Sequence, residues 1–494
     1  MNKRIRNILL RFKSDYIVGQ FQSEFPDIFK MFWNKTAVFV TSICTMSMLL
    51  NCMTSDKQDM GKIFMENNAI NVTGGLIAGY TSQDGYVRIY KGIPYAADTG
   101  GQNRFRSPQD VEPWNGVKDC TNWGNSAVQP PQGPIMFWTE EFIISNKIYS
   151  EDCLNLNVWT AGTEERKPVI MFIHGGGFGS GGSSCDVYDG EAIARKGVIF
   201  VSVNYRVGIF GFLANSQLQK ENDGYGNFAI LDLIKALEWI GDNIAQFGGD
   251  PGNVTIMGQS AGSGLVQALM ASPKAKNMFH HAVVQSYDII KAPFMDISVQ
   301  IEQGDALSLP LEKLRSMSTD DVFNLKWASI PCVGTDVIPY DLIAAYSKGA
   351  ANDVDLMSGL VEGDKIFFSE STDLPAEQLE KDMMISQLAL ADSAQVPGYK
   401  GNVYLYYYHH VMPGENSLSD GAFHTSDVPY FFNHLSDSRV SYWTDTDRRV
   451  ADIMSDYLVN FAKTGNPNGV GLAVWNTARE SSSYLLLNAD PKMR

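Results

Sequence analysis

The segment Gly258-Gln259-Ser260-Ala261-Gly262 has the spacing of a serine nucleophile. Two glycines flanking a serine permit a turn too tight for larger neighbours, with the serine at the start of a helix. A serine hydroxyl is a weak nucleophile unless a base takes its proton and N–H donors hold the oxyanion it creates. A second glycine run, His174-Gly175-Gly176-Gly177-Phe178, offers such donors, because glycine lets backbone N–H groups approach a ligand closely. No Lys-Ser/Thr pair follows that run, which argues against a nucleotide loop. The expected donors are Gly176, Gly177 and Ala261, the residue after the serine, and His174 is read as a brace for the loop rather than a reacting group. The chemistry these pieces fit is attack on an acyl carbon. Gly-x-Ser-x-Gly alone also occurs in turns that merely need small residues, so placement and partners must carry the reading.

Seven histidines are present. In a chain of this motif order the base follows the nucleophile and the acid lies between them. His424 sits in the turn-rich segment Gly421–Tyr430, His409 and His410 end an apolar run, and His434 follows Phe431-Phe432. Spacing does not choose among them. For the acid, Met357–Asp364 supplies both Glu362 and Asp364, and both stay open at this level.

These groups need a scaffold. Val169–Ile173, Val198–Asn204, Val254–Met257 and His281–Gln285 are apolar and β-prone, the pattern of strands buried on both faces. Val87–Tyr90 and Val403–Tyr408 are further strand candidates. Ala229–Phe247 carries apolar residues at helical spacing, and Ala261–Met270 reads as a helix. Strands alternating with helices predict an α/β fold, a mainly parallel sheet with helices on both faces and its site at the carboxyl ends of strands.

The 494 residues are 44% hydrophobic and 19% charged, enough for a large core, and show no internal repeat. The net charge of -16 argues against nucleic acid as a partner. Residues 1–52 read as a leader. Met31 is a second candidate start, Thr36–Leu50 forms an apolar run too short to span a bilayer comfortably, and Leu49-Leu50-Asn51-Cys52 resembles a bacterial lipoprotein cleavage site with Cys52 as the acylated residue. The expectation is export to the cell envelope, with membrane attachment through the N-terminus. Residues 53–71 read as a polar tether and 72–490 as one catalytic domain.

From about Val72 to Trp475 the chain resembles the type B carboxylesterases, the cholinesterase-like family of the α/β-hydrolase fold. The resemblance rests on Tyr90–Ala96, Glu151–Trp159, His174–Phe178, Asn204–Arg206, Phe247–Thr255, Gly258–Gly262, His424 with Asp427 and Pro429-Tyr430, and Phe461–Asn468. It implies Ser260 as nucleophile, His424 as base and Asp364 as acid where most relatives have Glu, with Glu362 as the fallback. Cys153 matches a disulfide cysteine of the family; its usual partner position holds Val128 and Ala127, so Cys120 becomes the candidate partner. The resemblance also implies ester hydrolysis with no metal or cofactor. The substrate class expected is a small-molecule or sugar-linked ester. Gln259 stands where cholinesterases carry an acid, which weakens the case for a quaternary-ammonium substrate. Tyr287 follows Ser286 where the family has glycine. The stretches around 290–350 and 370–400 are shorter than usual, so a trimmed lid and a more open site are expected. Competing readings are a non-catalytic binding protein of the same fold and a hydrolase of thioester, amide or sugar-linked ester bonds.

Overall fold

The apolar runs become the middle of a large sheet. In chain order its strands are β1 (Tyr80–Thr81), β2 (Val87–Pro94), β3 (Asn155–Ala161), β4 (Lys167–Ile173), β5 (Ile199–Val203), β6 (Gly249–Gln259), β7 (His281–Gln285), β8 (Asp355–Val361), β9 (Val403–Tyr408), β10 (Leu485–Leu487) and β11 (Lys492–Met493). Their spatial order is β11-β10-β9-β8-β7-β6-β4-β5-β3-β2-β1. The run from β5 to β10 is parallel throughout, and antiparallel pairs close both edges. β4 and β5 are buried at every residue, as expected for parallel strands covered on both faces. This computed structural model describes residues 69–494 apart from 165, 370–373, 415–420 and 436–441.

Helices α1 (Phe228–Asn243), α2 (Ala261–Ala271) and α3 (Ala376–Ser393) bury their apolar residues in one core on one face of the sheet. Helix α4 (Asp445–Thr464) buries Val450, Met454, Leu458 and Phe461 in a second core on the other. Its ends follow local chemistry. Thr444 and Asp447 form a capping box at the start, and Gly465 in the left-handed region ends it.

Ala69–Arg494 is one compact unit. It begins three residues before the expected Val72, because Ile70–Val72 is a strand paired with Gly75–Ala78. Cys52 and the leader lie outside the described residues. No helix among those described is long and apolar enough to cross a membrane.

The expected Cys120–Cys153 bond is not formed. Both are free, buried thiols in the first core. The Cys120 backbone is pinned between strands, its N–H donating to Ala78 O and its carbonyl accepting from Lys91 N–H. Cys153 lies on the lead-in to β3, where its carbonyl accepts from the Asn155 side chain. Each sulfur packs as a small apolar group. Burial pushes the Cys120 thiol up to about 12 and Cys153 higher still, so the thiolate that disulfide exchange needs is suppressed.

Candidate active site

Ser260 closes β6 and opens α2, with φ 56° and ψ −127°, a conformation that non-glycine residues rarely hold. Both flanking glycines are required by space. A Cβ at Gly258 would lie 2.4 Å from Gly262 O, and one at Gly262 would lie 2.1 Å from Ile173 O. The turn is tied down by Ser260 N–H donating to Gln285 O at 2.8 Å. Ser263 Oγ accepts from Gln285 N–H at 2.7 Å and donates to Gly258 O at 2.5 Å.

The glycine loop follows β4, next to β6. Gly176 has φ 118°, and a Cβ there would meet Ser180 O at 2.1 Å. Gly179 and Ser180 N–H turn inward to Gly176 O. Among the described residues the N–H groups of Gly176 and Gly177 are not consumed by the loop itself, and Ala261 N–H belongs to the first turn of α2, where N–H groups have no helical partner. Gln129 was not singled out by its sequence position, yet its amide clamps the loop: Nε2 donates to Gly181 O at 2.7 Å and Oε1 accepts Gly181 N–H at 2.8 Å. His174 is buried, stacked on Tyr205 at 4.4 Å, and donates from Nδ1 to Gly175 O at 2.8 Å. Burial pushes it down to about 4. A neutral ring locked this way braces the loop, as expected.

The acid candidates separate by where their segment turns. After β8 the chain makes a single 3₁₀ turn, Glu362–Asp364. Asp364 faces inward: Oδ2 accepts Val361 N–H at 2.9 Å and Oδ1 accepts the Nδ1–H of His424. Glu362 points to His409 Nδ1 at 3.1 Å instead. This pair raises the histidine and lowers the carboxyl. His410 pairs with Asp447 at 2.8 Å. Thus the structure brings His424 and Asp364 together and sends Glu362, His409 and His410 elsewhere.

With Nδ1–H committed to Asp364, His424 Nε2 is the acceptor, and the Gln259 amide lies on it at 3.3 Å. Ser260, His424 and Gly175–Gly177 line one cavity of about 400 Å³. Its remaining wall comes from residues 132–144, with Cys185, Tyr188 and Phe367; none of residues 287–350 contributes. Sequence reading passed over these rings, because nothing local says that Trp138 and Phe367 end beside a histidine 60 or more residues away.

Behind the histidine lies a second buried carboxyl. Asp427 Oδ2 accepts from Gln285 Nε2 and Tyr406 OH, each at 3.1 Å, while Oδ1 has no partner among the described residues. Burial, then the nearby Asp364 charge, pushes it up to about 7. Among the described residues no His/Cys/Asp/Glu group could hold a metal.

A hydrolase fold with a strained serine turn, a glycine loop and a carboxylate-bound histidine defines the class, and the family follows. The Carboxylesterase family model matches residues 66–395 and 375–494, so the chain belongs to that family and is a carboxylic ester hydrolase. It is 29% identical over 464 residues to the para-nitrobenzyl esterase of Bacillus subtilis (strain 168), covering 82% of this chain and 91% of the relative. Carboxylesterase 4A of Bos taurus is 28% identical over 491 residues, covering 81% of this chain and 87% of its own. Among solved structures, the Geobacillus stearothermophilus carboxylesterase superposes with a TM-score of 0.72 at 25% identity, covering 86% of this chain and 97% of its own.

Proposed function

We propose that this esterase works through an acyl-enzyme on Ser260, with His424 as general base and Asp364 as the acid that orients it. The observation that carries the reading is the His424–Asp364 contact, which leaves Nε2 as the free base on the cavity that Ser260 lines. Ser260 Oγ attacks the acyl carbon and its proton passes to Nε2. The N–H groups of Gly176, Gly177 and Ala261 hold the oxyanion, each such donor being worth about a hundred- to a thousandfold in rate. Collapse breaks the bond to the alcohol oxygen, which leaves with the proton from Nε2. Water then attacks the acyl-enzyme, again giving its proton to Nε2, and the Ser260 bond breaks to release the acid. The Gln259 amide lies on Nε2 in the unliganded site and must yield it to the Ser260 hydroxyl as substrate seats.

Turnover of p-nitrophenyl acetate and butyrate by wild type and Ser260→Ala tests this. The variant should lose at least about 10⁴-fold in kcat, and a fluorophosphonate should label wild type alone; equal turnover would remove the reading. Export with acylation of Cys52 is proposed from sequence alone, and radiolabelled palmitate incorporation that Cys52→Ser abolishes is its test.

A further inference from the structure

The two flanks of Ser260 differ in the room they leave. A tetrahedral carbon on Ser260 Oγ carries three other groups: the oxyanion, the leaving oxygen and the acyl substituent. The leaving oxygen must reach His424 Nε2, since that nitrogen returns the proton to it. The alcohol therefore lies against the His424 side, where the cavity is. There the imidazole is flanked edge-on by Phe367 at 4.8 Å and Trp138 at 6.2 Å. The Trp138 indole N–H donates to Thr425 Oγ1 at 2.8 Å, fixing the ring beside the histidine.

The acyl substituent must point away from both the leaving oxygen and the oxyanion loop. On that flank the carboxyl end of β7 delivers Tyr287. Its ring packs edge-on against Phe178 at 6.1 Å and against Phe294 and Phe368 at 6.4 Å each. Tyr287 OH donates to Ala292 O at 2.8 Å. Tyr287 and Phe178 are each 6% exposed. Both press on Gly264 in the first turns of α2, where a Cβ would sit 2.9 Å from Phe178 and 3.1 Å from Tyr287. None of these rings lines the cavity. They belong to the core on the opposite face of the sheet from Ile143, Ile144, Cys185 and Tyr188, which do.

We infer that the substrate class is a short-acyl ester, acetyl or propionyl, of a large apolar or aromatic alcohol. This rests on the serine-hydrolase reading above. The acyl side is a packed wall, and the alcohol side is an aromatic cavity.

The test is kcat/KM of the full-length protein on four esters of primary alcohols: ethyl acetate, 2-phenylethyl acetate, ethyl octanoate and 2-phenylethyl octanoate. 2-Phenylethyl acetate should exceed ethyl acetate by about tenfold or more, and lengthening acetate to octanoate should cost about a hundredfold. Tyr287→Ala should raise the octanoate-to-acetate ratio at least about tenfold, and Trp138→Ala should erase the phenylethyl preference. Octanoates turned over as well as acetates by wild type, or ethyl acetate as good as its phenylethyl analogue, would overturn the inference without need of a variant. No turnover of any ester, with no fluorophosphonate labelling of Ser260, would instead remove the serine-hydrolase reading and this inference with it.

Discussion

Two buried aspartates lie close to His424, and their surroundings could hardly differ more. Asp364, at the turn after β8, has an N–H donor on each oxygen: a backbone amide on one and the imidazole on the other. Asp427, three residues beyond the histidine, receives both of its hydrogen bonds on one oxygen and leaves the other bare. A buried carboxylate is tolerable when donors satisfy both oxygens and costly when they do not. Hence Asp427 is pushed up to about 7 and is held largely as the neutral acid, close to a charge it would otherwise repel. Of two carboxyls near one base, the fold equips one to hold an imidazolium and keeps the other from competing.

The most severe way to break that contrast is Asp364→Asn. The amide cannot hold the imidazole in the tautomer with a free Nε2, and kcat on p-nitrophenyl acetate should fall about 10⁴-fold, with Ser260 still present for slow phosphonate labelling. Asp427→Asn should act on stability more than on rate. The folded state holds a proton on Asp427 that the unfolded chain releases near 3.8. This contribution is complete below pH 3.8 and is lost as pH rises through about 7. Across that window wild type should lose up to about 4 kcal/mol relative to the variant, read as diverging denaturant midpoints at pH 5 and pH 8. His174, pushed down to about 4, loses stability in the opposite direction as pH falls below 6.5; comparing the two proteins at each pH cancels it. The smallest effect belongs to Glu362→Gln. Its partner is His409, so esterase activity should stay within about twofold of wild type, while the His409 pKa followed by NMR falls toward its ordinary value. A large activity loss in this variant would reverse the assignment of the two acids.

Much of this was legible in the residues. The strands at 169–173, 199–203, 254–257 and 281–285 follow from apolar runs that only a doubly covered sheet can bury. The serine turn follows from Gly258 and Gly262, because the backbone within reach of each is only a few residues away or on the adjoining strand. The expectation of an open site under a trimmed lid met a different arrangement. Tyr287, where relatives place glycine, fills one flank with its ring, while residues 132–144 wall the other. The Cys120–Cys153 pairing rested on likeness alone and gave way to two thiols packed in the core.

What the sequence determined by itself is therefore local: which runs must be strands, where the chain turns too tightly for a Cβ, and which residue types stand ready at those turns. Choosing Asp364 over Glu362 needed the single turn after β8, which sends side chains two residues apart to different histidines. Placing Trp138 and Phe367 beside His424, and Asp427 under Gln285 and Tyr406, needed segments up to 287 residues apart to meet. Those contacts are decided by how two cores close on the faces of one sheet, and side-chain spacing along the chain carries no record of that distance.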